Sequence, residues 1–149
     1  MFALVGFAAA VFAAALVGAR FRPDGWYDDL AKPAWQPPKW VFAPVWTLLY
    51  IGIAVVGWRL WTAGSGLGVA LWAVQLTLNA VWSPLFFGAR RIDWALVDVT
   101  ALWVAVAATA VVAASVDGVA TWLFVPYLAW VSFATALNFA VWRLNRTRI

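Results

Sequence analysis

Gln75, Asn79 and Trp82 follow one another at helical spacing inside an apolar run, which sets two amides and an indole on one face of a helix. In hydrocarbon such groups must find hydrogen-bond partners, because an unpaired buried amide is costly. Two readings fit this face: a polar wall for the carbonyl or carboxylate of a ligand, or bonding between helices that holds a bundle together. Asp98 is the one acid well inside an apolar run, a position that is functional by default. It also stands just over a turn from Trp94, with Arg90 and Arg91 in reach, which favours pairing or snorkelling. Trp46, Trp82, Trp103 and Trp130 lie too deep for an interfacial belt. Their flat faces suit an aromatic ligand or packing between helices.

The absences are as informative. The chain has no Cys, no His and no Glu, and its one Met is Met1. That removes disulfides, Cys/His zinc sites and Ser–His or Cys–His nucleophilic catalysis, so no catalytic or metal-binding residue is assigned and no cofactor is required. The usual haem axial ligands are missing too, leaving Tyr27, Tyr50 and Tyr127 as poor substitutes.

The elements that must position these residues follow from composition. Of the 149 residues 66% are hydrophobic and 11% charged, more apolar surface than a water-soluble domain of this size can cover. The expected fold is an all-α membrane protein, a bundle of five transmembrane helices at about 2–19, 39–62, 69–88, 94–115 and 119–142, forming one domain over 1–149. A leading signal peptide is disfavoured, because Arg20 and Arg22 follow the first apolar run rather than precede it. Gly6, Ala10, Ala14 and Gly18 recur every fourth residue and make a groove for close helix contact, within the bundle or at a dimer seam.

Nine of the ten basic residues (Arg20, Arg22, Lys32, Lys39, Arg90, Arg91, Arg143, Arg146 and Arg148) fall on one side of these spans, and Arg59 alone on the other. The positive-inside rule then puts the N-terminus outside and the C-terminus in the cytoplasm, in a bacterial inner membrane. The basic residues sit at span ends rather than along a stripe, which argues against nucleic acid as a partner. No internal repeat divides the chain, which weighs against an inverted-repeat transporter. At about 1.5 Å per residue, Trp46 lies roughly 10 Å below Lys39, and Asn79 roughly 14 Å below the charged end of its own span. The polar and aromatic groups therefore gather in the half of the membrane covered by residues 20–38, an irregular, Trp- and Pro-rich lid.

The W-Y-x-x-L-x-K-P-x-W-x-P-P pattern of that lid (Trp26, Tyr27, Leu30, Lys32, Pro33, Trp35, Pro37 and Pro38) resembles the TspO/MBR family of tryptophan-rich sensory and translocator proteins. The likeness extends through QLTLNAVWSPLFFGARR, WALVD and VPYLAWVSFATALNFAVWRLN, nearly the whole chain. It implies a commonly dimeric five-helix bundle that binds protoporphyrin IX and related tetrapyrroles, sterols, and isoquinoline or benzodiazepine drugs. Carried over by position, Trp46, Asn79 and Trp130 resemble pocket residues, Ala134 and Leu137 wall positions, and Trp26, Tyr27 and Trp35 the lid. Tyr50 and Trp82 join the ligand-binding set from their depth. One departure concerns sterols: Phe139 stands where the cholesterol-recognition pattern of animal members has a tyrosine.

The expected function is thus a membrane sensor or carrier for tetrapyrroles, with Lys32, Lys39, Arg90 and Arg143 near the mouth as candidates to meet propionates. Two alternatives stand beside it. One is an enzyme-like, light-dependent oxidative degradation of bound protoporphyrin; the other is transport of porphyrin or sterol across the bilayer.

Overall fold

The computed structural model describes residues 2–146, so Met1 and residues 147–149, Arg148 of the basic tail among them, lie outside the described residues. Six α-helices follow in order: α1 (Phe2–Arg20), α2 (Gly25–Asp29), α3 (Phe42–Thr62), α4 (Gly66–Ser83), α5 (Ile92–Ala114) and α6 (Gly118–Asn145). All but α2 are long and apolar enough to cross a membrane, and the chain is a multi-pass integral membrane protein with five spans. The long helices close a ring in which α1 packs on α3, α3 on α6, α6 on α5, α5 on α4, and α4 back on α1.

Local chemistry sets the helix ends. Ser65 caps α4 by accepting a hydrogen bond from the Gly68 N–H, so this span starts at Gly66 rather than at the expected Val69. The preceding turn passes through Gly64 at φ 75°, a left-handed conformation that glycine adopts at little cost. At the other end of α4, Pro84 has no N–H with which to continue the i→i−4 ladder. From there the chain runs into one wider, π-helical turn, Pro84–Gly88, closed by Ala89 N–H donating to the Pro84 carbonyl at 2.8 Å. That turn aims both Phe86 and Phe87 at the lid, where they meet Tyr27 with ring centroids 6.0 and 5.6 Å away. Asp117 caps α6 through the N–H groups of Val119 and Ala120.

Helix α6 has 28 residues, about 42 Å at 1.5 Å each, and so outruns a hydrocarbon layer of about 30 Å. Its last turn reaches the lid. There Asn145, fully buried, accepts a hydrogen bond from the Ala31 N–H at 2.9 Å and donates one to the Ala31 carbonyl at 2.7 Å. Inside the lid, α2 is capped by Asp24, and Lys32 donates to the carbonyls of Tyr27, Asp28 and Leu30. The small-residue stripe of α1 serves the bundle: Ala14 is buried, Ala10 packs on the core, and Gly18 lies beside Tyr50 and Ser83. Gly6 is the exception and has open space beside it.

Candidate ligand-binding site

Three helices bring one line of polar side chains into the middle of the bundle. The Tyr50 hydroxyl (α3) donates to Asn79 Oδ1 (α4) at 3.0 Å, and Asn79 Nδ2 donates to the Tyr127 hydroxyl (α6) at 2.8 Å. Tyr127 in turn donates to Gln75 Oε1 (α4) at 2.7 Å. The direction of donation is uniform, and it ends at Gln75 Nε2, which is buried with no partner among the described residues. Gln75 and Asn79 therefore realise the reading of bonding between helices, with one amide group left over.

Aromatic rings wrap this line. Trp46 meets Tyr50 at 5.5 Å, Tyr127 at 6.5 Å and Trp130 at 6.3 Å between centroids, the two indoles perpendicular. Phe42 and Phe133 flank Trp130 at 5.6 and 5.4 Å, and Trp35 of the lid sits on Phe133 at 5.7 Å. The indole N–H of Trp130 is buried in this cage without an acceptor among the described residues. Trp46, Tyr50, Asn79 and Trp130 are thus neighbours, with Tyr127 at their centre. Tyr127 was not assigned to the site from sequence, although it lies one helical turn from Trp130 and so on the same face.

Of the other expected residues, Trp82, Leu137, Trp26 and Tyr27 form a second cluster nearer the lid. Trp82 donates to Asn138 Oδ1 at 2.9 Å, and Asn138 Nδ2 donates to the Ile92 carbonyl at 3.1 Å, which ties α4, α5 and α6 together. Trp82 also packs on Phe86 and Phe87, and Leu137 is buried with them beneath Tyr27. Trp26 meets Phe86 at 6.0 Å. Ala134 packs against the main core, between the two clusters in sequence. Burial, then the neighbouring Asp28, raises the pKa of Tyr27, whose hydroxyl donates to Gln36 Oε1. Tyr27 is thus a neutral, buried anchor within the lid. Trp103 belongs to neither cluster: it turns to the outer face and donates to Ser132.

The charges differ from expectation. Arg91 pairs with Asp93, and Arg90 reaches Asp24 while lying over the Trp26 ring. Neither meets Asp98, which is buried on α5 with Oδ2 unbonded among the described residues. Asp93, two residues along the chain, captures Arg91, while Arg90 is taken by Asp24 of the lid, which the fold brings to it from 66 residues away. Lys32 is engaged within the lid and Lys39 pairs with Asp28, so of the four basic residues near the mouth Arg143 is the one left exposed to solvent without an ion pair among the described residues.

Comparison with known proteins shows the chain's relatives by sequence. The description of the TspO/MBR family matches residues 4–143. The tryptophan-rich sensory protein of Cereibacter sphaeroides is 46% identical over 143 residues, 95% of this chain and 90% of its own. Protein CrtK of Rhodobacter capsulatus is 44% identical over 137 residues, covering 89% and 86% of the two chains. The human translocator protein is 42% identical over 150 residues, covering 95% and 89%. A match over nearly the full length, shared by bacterial and animal relatives, leaves one conclusion about ancestry: this chain belongs to the TspO/MBR family.

Proposed function

We propose that the protein is a membrane sensor or carrier that holds tetrapyrroles, and other flat hydrophobic molecules, against the aromatic cage of Trp46 and Trp130 beneath the lid. One observation carries this reading: an aromatic cage built around a polar line, with two buried donors, Trp130 Nε1 and Gln75 Nε2, left without acceptors. Burying such groups unpaired costs about 1–3 kcal/mol each. A ligand carbonyl, carboxylate or ring nitrogen offers the missing acceptor, and its flat face suits the indoles. The relatives' names, sensory protein and translocator protein, point the same way.

Free-base protoporphyrin binds at least as tightly as haem on this reading. The chain offers the iron no His, Cys or internal Met, and the hydroxyls of Tyr27, Tyr50 and Tyr127 are all engaged in hydrogen bonds. The lid side, where the basic residues gather, faces the cytoplasm of a bacterial inner membrane, with the N-terminus outside. The assembly is a homodimer in the bilayer, and cross-linking in native membranes tests it.

Titration of the detergent-purified protein with free-base protoporphyrin, beside Trp46→Phe and Asn79→Ala, tests the site. Saturable micromolar binding that weakens in both variants supports it. Equal signals from all three, matching partition into empty micelles, remove the ligand from the cage.

A further inference from the structure

We propose that the cleft between α3 and α6 is a lateral portal through which flat apolar molecules pass from the bilayer core to the Trp46–Trp130 cage. This rests on the ligand reading above and adds its route. A groove of about 590 Å³ runs down the outside of the bundle at this seam. Val45 and Leu48 of α3 form one wall, and Pro126, Ala129 and Phe133 of α6 the other, so every group that a passing molecule meets is apolar. Pro37, at the end of the lid, lines its upper part.

The two helices form a wedge. A Cβ built on Gly52 of α3 would stand 3.9 Å from the backbone oxygen of Leu123 of α6, so the backbones come close at that level. One turn of α3 nearer the lid they part around the groove. Pro126 sits at the level where they separate, and its missing N–H leaves the Trp122 carbonyl without its intrahelical donor. The α6 ladder is weakest where the wall must yield.

Trp130 joins the groove to the interior. It lines the groove and meets Trp46, while its N–H is buried without an acceptor. A planar molecule with a polar edge that slides along the wall meets the Trp130 ring first, and behind it this donor and the rings of Trp46 and Tyr50. Lipid acyl chains fit the same apolar walls but offer the indole nothing to bond. The portal therefore admits them without retaining them, and its specific cargo is a ring system with a hydrogen-bond acceptor.

Ala129→Phe fills the groove from an exposed position. Leu48→Phe does so from the opposite wall, and Val104→Phe on the outer face of α5 is the control. The probe is free-base protoporphyrin mixed with the protein in lipid nanodiscs, followed by porphyrin fluorescence, with empty discs defining simple partition. The portal predicts that Ala129→Phe or Leu48→Phe slows association and dissociation together, by about tenfold, with Kd within about twofold of the unaltered protein. Val104→Phe matches the unaltered protein. Intact binding with unchanged rates in both groove variants overturns the portal alone. Absence of saturable binding in the unaltered protein overturns the ligand reading and the portal with it.

Discussion

Arg59 and Asp117 close the end of the bundle opposite the lid with two parallel hydrogen bonds, Nε to Oδ2 at 2.7 Å and Nη2 to Oδ1 at 3.1 Å. The pair ties the end of α3 to the cap of α6, because the same carboxylate receives the first N–H groups of α6. The hydrogen bond from Arg59 holds the Asp117 carboxyl below its ordinary pKa. A carboxylate depressed in the folded state adds stability above its unfolded pKa, near 4, and loses it as pH falls through the lower folded value. Arg59→Gln therefore lowers thermal stability near neutral pH by up to about 1 kcal/mol, as a part-exposed pair does. The gap to the unaltered protein narrows below about pH 4. Unfolding curves in detergent at pH 7, 5 and 3 check this, and a gap that stays constant to pH 3 contradicts it.

Tyr50 and Tyr127 are chemically alike but stand at different places in the polar line. Tyr50 begins it, so Tyr50→Phe deprives only Asn79 Oδ1 of a donor. Tyr127→Phe strands two groups at once, Asn79 Nδ2 and Gln75 Oε1. At about 1–3 kcal/mol for each buried group left unpaired, Tyr127→Phe costs roughly twice as much as Tyr50→Phe. Thermal unfolding of the two variants side by side gives the ratio, and equal losses count against the line as drawn.

Gly57 is fixed by its neighbours. A Cβ there would stand 2.6 Å from both Phe7 and Trp72. These rings pack edge to face at 4.9 Å, and Trp72 is anchored by its N–H to the Ile53 carbonyl. Little can give way, so Gly57→Ala costs about 1–3 kcal/mol through overpacking although alanine is the better helix former. A melting temperature at or above that of the unaltered protein contradicts this packing.

Asn145→Ala removes both hydrogen bonds that hold Ala31 and leaves that peptide buried or drives the lid open. The expected result is faster amide exchange across 25–36 with little change in the exchange of α5. Unchanged exchange in the lid shows that its apolar contacts alone hold it.

How far the sequence reveals this protein depends on the range of each interaction. Charges at the ends of uncharged runs marked the five spans, because lipid tolerates little else. Depth below those charges brought Trp46, Tyr50, Asn79 and Trp130 into one layer, and the structure makes them neighbours. Depth says nothing of direction around a helix axis, so Trp82 was grouped with the cage while its indole bonds toward Asn138 and the lid. Trp103 likewise gave no sign that it turns outward. Competition between nearby partners hid the rest. Arg90 and Arg91 were assigned to Asp98 by proximity, but Asp24 and Asp93 take them, and Asp24 lies 66 residues from its arginine. The π-helical turn at Pro84 and the placement of Phe86 against the lid likewise depend on packing that no local pattern records.

The clamp between Asn145 and Ala31 also has a consequence in time. The two residues are 114 positions apart, and at 5–20 residues per second a ribosome makes the second on the order of ten seconds after the first. Throughout that interval the first four spans can insert and Trp26 can already find Phe86, while Trp35 still lacks Phe133 of α6. The cover closes last, once the end of α6 has emerged. A nascent chain stalled before Asn145 would then present an open mouth, with the interior beneath the lid uncovered.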